Sequence, residues 1–178
     1  MTAKTITRLF DDNAVAEAAV RDLELAGFSD ADISIVRRHG DSTTATADGE
    51  TSGAAVGAGI GTVVGGGAGL LAGLGMLAIP GIGPVVAAGW LAAALLGVGA
   101  GAAAGGLIGA LTTAGVSEAD AHVYAEGVKR GGSLVTVRAA DEQRAMRAEE
   151  IINRHSAVNI NERGDQYRQS GWKRHDAA

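Results

Sequence analysis

Chemistry at neutral pH needs groups that take a proton, attack a carbon or hold a metal, and this chain offers few of them. Its four histidines, His39, His122, His155 and His175, are scattered. They form no H-x-x-x-H pair and have no carboxylate at ligand spacing, so no metal site is read from them. The chain has no cysteine, which removes thiolate nucleophiles, disulfides and Cys-based metal sites. No Ser, Thr or carboxylate has a recognisable activating neighbour. Glu149 and Glu150 adjoin on a helix and so point apart, as on a solvated face. "GAGLLA", Gly67 to Ala72, matches the G-x-G-x-x-A phosphate fingerprint, and "GVGAGA", Gly97 to Ala102, comes close. Neither follows a strand or opens a polar site, and no Walker lysine is within reach, so no nucleotide is expected there. The expectation is a non-enzymatic protein with no catalytic residue, cofactor or metal.

Charge narrows the partners. The net charge of −5 argues against a nucleic-acid binder, whose affinity comes largely from neutralising phosphates with Lys and Arg. Aromatic residues are 3% of the chain, too few for a base-stacking platform. Residues 1–50 hold 5 basic and 10 acidic side chains, while residues 116–178 hold 10 of each. The excess negative charge therefore precedes an uncharged middle. The opening "MTAKTITRLFDDNA" has no apolar h-region before its acidic pair, which argues against a secretory signal and places the ends in the cytoplasm.

The elements that could position a site come next. Residues 1–39 read as strand, helix, strand. "TITRLF" supplies Ile6, Leu9 and Phe10, and Asp11, Asp12 or Asn13 can cap the helix that follows. Ala16, Ala19, Val20 and Leu23 recur at helical spacing, Gly27 stops the helix, and "DISIVRR" is β-branched. Residues 40–52 are small, polar and without period, a linker. Residues 116–163 read as a second half. Ser117 with Asp120 makes a cap before a row of Ala119, Val123 and Gly127. "SLVTVRA" is a strand, and Asp141 caps a helix with Ala145, Ala148, Ile152 and His155 on one face. "AVNINER" offers a last strand with Val158 and Ile160 on the same side. Residues 164–178 are a polar tail expected to be loosely ordered. Together the halves predict an α+β fold, a split ferredoxin-like sandwich with a four-stranded antiparallel sheet and helices on one face. Each half has too few strands to bury a core alone, so the two should fold against each other.

Between them, Thr51 to Ser117 runs for 67 residues without Asp, Glu, Lys, Arg or His and holds 20 of the 28 glycines. Gly53, Gly57, Gly61, Gly65, Gly69 and Gly73 form an i, i+4 series, and a second runs through Gly89, Ala93, Gly97, Gly101, Gly105 and Gly109. A flexible linker has no reason to keep such a period. On a helix it makes a shallow groove where a second helix can approach closely, with Leu and Val residues between. Each step drifts roughly 40° on a 3.6-residue helix, so partners must cross, at about −40° for right-handed GxxxG pairs. Pro80, Gly81, Gly83 and Pro84 mark a turn. The segment 53–115 thus predicts a glycine-zipper helical hairpin, with self-association into a homo-oligomer.

Length adds a membrane argument. Gly53 to Ile79 and Val85 to Leu111 each contain 27 residues, where a bilayer core needs about 20 in a helix. Two spans would leave both termini on the cytoplasmic side, with the lipid bilayer as partner. Arg37, Arg38, Lys129 and Arg130 could lie near lipid headgroups or be plain surface charges. Trp90 would fall within the second span. The alternatives are a cytoplasmic, soluble homo-oligomeric assembly with a shared Gly/Ala helical core, and a small-molecule-sensing α+β module.

"RLFDDNAVAEAAVRDLELAGFSDADISIV", the glycine hairpin with "LAIPGIGP" at its turn, and "GVSEADAHVYAEGVKRGGSLVTVRA" together resemble the bacterial general stress protein family. Its members carry a heat-induced-stress-type α+β domain, many with an inserted glycine-zipper membrane hairpin. The likeness covers residues 5–163. It implies stress-associated expression and membrane attachment, and supplies no catalytic residues to carry over.

Overall fold

The computed structural model of the chain describes residues 4–38, 75–79, 82–97 and 106–173. The first unit is β1 (Lys4–Phe10), α1 (Asn13–Leu25) and β2 (Ile33–Arg38). The Asp12 side chain accepts from the Ala14 N–H at 2.7 Å, capping α1. Gly27, with φ +86, ends the turn after the helix. Ala16, Ala19, Val20 and Leu23 are the buried stripe of α1, as their spacing requires.

The strand "SLVTVRA", β5 (Ser133–Ala139), enters between β1 and β2. It pairs antiparallel with both: Leu134 stands opposite Leu9 on one side and Val36 on the other. The two halves of the sequence therefore share one sheet. Six of the seven β5 residues are buried, because each of its faces lies under helices.

Two further strands extend this sheet, and here the structure departs from the expected helical hairpin. Residues Gly75–Ile79 form β3 and Gly83–Gly89 form β4, giving the order β1-β5-β2-β4-β3 with every neighbouring pair antiparallel. The chain does reverse near its Pro/Gly cluster, but between strands. Gly83 (φ +98) and Pro84 begin β4, while Pro80 and Gly81 lie outside the described residues. The physical reason is competition. Glycine costs about 1 kcal/mol relative to alanine in a helix interior, whereas β2 offers a full edge of backbone partners, from Arg38 opposite Val85 to Ser34 opposite Gly89. The expected second span begins as strand, since Val85–Gly89 belong to β4, and its residues 98–105 lie outside the described residues. After β4 come α2 (Trp90–Gly97) and α3 (Gly106–Thr113), each of eight residues. No helix among the described residues is long and apolar enough to cross a membrane.

Helices cover both faces of the sheet rather than one. α1 and α5 (Glu142–Asn153) pack on the face bearing Ile6, Phe10, Ile35 and Val137. α2, α3 and α4 (Glu118–Lys129) pack on the face bearing Leu9, Leu134, Val36 and Ala87. Residues of β2 and β5 are apolar on both sides, so an open second face would leave Leu134 and Val36 in water. The caps at Ser117 and Asp141 form as their residue types suggest, accepting from the Asp120 and Arg144 N–H groups at 3.1 and 2.8 Å. α4 is buried from Ala121 to Val128, not along one row, since it lies between the sheet, α3 and the last helix; Ala119 is exposed.

The expected last strand is instead one hydrogen bond and a helix. The Val158 N–H donates to the Leu9 carbonyl at 2.8 Å, and the chain then forms α6 (Ile160–Gln169). Asn159 caps it, accepting from the Asn161 N–H at 3.1 Å and donating to Glu162 at 3.2 Å. Asn159 Oδ1 also accepts from the Glu162 N–H at 3.5 Å, so one short side chain serves two of the helix's first N–H groups. The segment expected as a loose tail thus includes half of α6, with Tyr167 buried and the Arg130 guanidinium 4.4 Å over its ring. Arg163 clips α6 to the end of β1 through two bonds of 2.6 Å to Asp11.

Two outcomes follow from this packing. Leu134 is fully buried at the centre of the sheet, so Leu134→Ala should lose about 2–5 kcal/mol in urea denaturation. The Arg163 hydrogen bond holds the Asp11 carboxyl below its ordinary pKa. A lowered folded pKa contributes stability above the unfolded value, and that contribution disappears as pH falls through the folded one. Asp11→Asn should therefore cost under about 1 kcal/mol at pH 7, given the exposure of the pair. The two stability curves should converge in acid.

Candidate functional site

Glycines were the residues the sequence singled out, and the structure separates them. Gly53, Gly57, Gly61, Gly65, Gly69, Gly73, Gly101 and Gly105 lie outside the described residues. Gly97 closes α2. Gly89 is not on a helix face. It ends β4 with φ +83, and a Cβ there would collide with the Ile33 carbonyl oxygen and stand 2.8 Å from Ser34 Cα. Its smallness lets β4 turn into α2 while pressed against β2. Gly109 sits within α3, and a Cβ there would meet nothing within 4 Å, so no second helix uses that position among the described residues. Glycines outside the series also allow close packing: an added Cβ at Gly127 of α4 would collide with the Leu9 side chain, and one at Gly132 would stand 3.0 Å from the Gly127 and Phe10 carbonyl oxygens.

Many titratable side chains are engaged in structural pairs. His155 lies 2.9 Å from Asp22, joining the end of α5 to α1. His122 is 3.8 Å from Glu118 on its own helix. Arg37 donates to Glu17 at 2.6 Å, Arg38 to the Lys129 carbonyl at 3.2 Å, and Arg130 to Glu126 at 2.7 Å. Arg37 and Arg38 thus hold strand β2 against α1 and α4, while Arg130 is paired on its own helix. Glu150 stands between Arg147 and Arg154 on exposed α5. Burial, with Asp30 nearby, raises the Glu24 pKa; neither of its oxygens has a hydrogen-bond partner among the described residues. No group of three His, Asp or Glu residues among those described could hold a metal ion.

Sequence reasoning missed a polar band on the second face of the sheet. Thr7, Thr136 and Ser34 stand side by side on β1, β5 and β2 and are all buried. The Ser34 hydroxyl donates to the Ala88 carbonyl at 2.7 Å, and the Tyr124 hydroxyl to the Thr7 carbonyl at 2.9 Å. Burial raises the Tyr124 pKa to about 12, so this phenol is a fixed donor and not a base. Beside the band, Trp90 starts α2 under the Arg138 guanidinium, 4.8 Å from its ring. The alternation in "TVR" and "ISIV" could have revealed the band, since every second residue there faces the same way.

The described part of the uncharged segment is therefore built into the domain. β4 extends the sheet, and Leu91, Leu107 and Leu111 are at most 1% exposed, in one core with α4. No protein-family model, curated protein or solved structure gives a match to this chain.

Gly89 and Gly109 belong to the same glycine series but should respond in opposite ways. Gly89→Ala meets both the positive φ and the Ile33 carbonyl, and should destabilise the fold by at least about 1–3 kcal/mol. Gly109→Ala should be neutral or stabilise by up to about 1 kcal/mol. Chemical denaturation of both variants checks the pair.

Proposed function

We propose that this chain is a non-enzymatic, general-stress-type protein that works by association with copies of itself, its α+β unit serving as the platform for the glycine-rich segment. The observation that carries this reading is the burial of Leu91, Leu107 and Leu111 against α4, together with the pairing of β4 on β2. Residues Val85 to Leu111 would have to form one helix facing lipid in a two-span arrangement. Val85, Ala87, Leu91, Leu107 and Leu111 instead lie in the protein's own core, which favours a folded protein domain over a bilayer hairpin.

The fold reading behind this is a ferredoxin-like nucleus. β1 and β2 run parallel on either side of β5, joined by α1 over one face, and α5 follows β5 on that same face. Residues 157–159 stand at the β1 edge, where a fourth strand of such a nucleus would lie. β3, β4, α2 and α3 are additions contributed by the segment between the halves, and α4 completes the cover of the second face. Arg, His and carboxylate groups in structural pairs support a non-enzymatic role.

Fractionation tests the reading. The native protein should be released by carbonate or high salt without detergent, and its native mass should exceed that of one 17.7 kDa chain. Retention in the membrane pellet until detergent is added would restore the bilayer hairpin, and a strictly monomeric mass would remove self-association.

A further inference from the structure

The two borders of the sheet are finished differently. At the β1 border, the Thr7 carbonyl accepts from the Tyr124 hydroxyl and from the Arg8 guanidinium, each at 2.9 Å, and the Leu9 carbonyl accepts from Val158. Lys4 adds a charge at the start of that strand. Charged groups and side-chain caps of this kind keep an edge from pairing with another chain. At the β3 border none of them is present among the described residues. Among the described residues β3 has β4 as its single neighbour in the sheet, and its sequence "GMLAI" contains no charge and no proline.

We propose that the outer edge of β3 joins two copies of this chain, β3 against β3, antiparallel about a two-fold axis. The inference rests on the self-association reading above and names its surface. Backbone N–H and C=O groups along an edge strand call for a strand as partner. A second copy fits electrostatically. Each chain carries −5, yet β3 lies inside the 67-residue stretch without a charged side chain, so this is a border where two copies meet without like-charge repulsion. Every strand pair within the sheet is already antiparallel, and a strand meeting its own copy about a two-fold axis is antiparallel by symmetry. Five paired residues cover much less than the roughly 800 Å² per partner of a standard stable interface. The contact is therefore weak and concentration-dependent.

Sedimentation of the full chain across a concentration series gives the first reading: reversible dimerisation, weakened at least about tenfold by Leu77→Lys, which places a like charge on the edge strand of each copy. Because the chain has no cysteine, single thiols give a second reading that does not rely on a disruptive variant. A two-fold antiparallel register that pairs at least three residues of each β3 centres on Met76, Leu77 or Ala78. The corresponding thiol among Met76→Cys, Leu77→Cys and Ala78→Cys therefore faces its own copy and should form covalent dimers on mild oxidation. Thr5→Cys on β1 should not. If the wild type dimerises but Leu77→Lys dimerises equally and no β3 thiol crosslinks, the edge is not the contact, while self-association through the glycine rows stands. A wild type that stays monomeric throughout overturns both.

Discussion

Everything in this fold depends on β5 being hydrogen-bonded on both its sides. β1 and β2 are parallel and not adjacent, so neither completes a sheet until β5 lies between them. More than ninety residues separate β2 from β5 in the chain. That pairing must meet the loop-closure entropy of the whole intervening segment before any contact rewards it, and the cost grows only slowly with length. The fold can therefore tolerate a long insertion at this point. It cannot tolerate loss of apolar character in β5, because Leu134 and Val135 feed the two opposite cores.

A strand buried on both faces sets the rest of the architecture. α1 and α5 cover one side, and the other side needs its own cover, which the uncharged segment and α4 supply together. The hydroxyl row of Thr7, Thr136 and Ser34 shows how polar groups are accommodated under that cover. Ser34 donates to a neighbouring strand's carbonyl, and Tyr124 caps the outermost one, so burial is matched by bonds. Arg37 and Arg38 complete the arrangement by linking β2 to helices on opposite faces.

Local signals were the legible part of the sequence. Asp12, Ser117 and Asp141 cap the helices they precede, because a cap needs only a short side chain and the next few N–H groups. The stripe of α1 was readable for the same reason. "SLVTVRA" was legible as a strand but not as the central one, since that depends on partners far away in the chain. α6 was misread because Val158 and Ile160 alternate like strand residues, while Asn159 and Glu162 carry the stronger helix-start signal. β4 was not legible at all. "GPVVAAG" is apolar on both sides and ends on the first glycine of the second helical series, and the exposed edge of β2 decides its conformation. Of the candidate glycines, the sequence located Gly89 as special but gave it the wrong neighbour.

The glycine period itself has a physical limit that the structure makes visible. Each glycine in a helix gives up about 1 kcal/mol against alanine, so a row of six forgoes roughly 5–6 kcal/mol unless something fills the groove. Period four is therefore a condition for close helix packing and not evidence of it. Where a neighbour presses on the backbone, the missing Cβ is used: β2 does so at Gly89 and Leu9 at Gly127. At Gly109 nothing among the described residues approaches, and the helix there is held by the burial of Leu107 and Leu111. In this domain the contact made at each glycine, not its place in the series, decides what the residue is for.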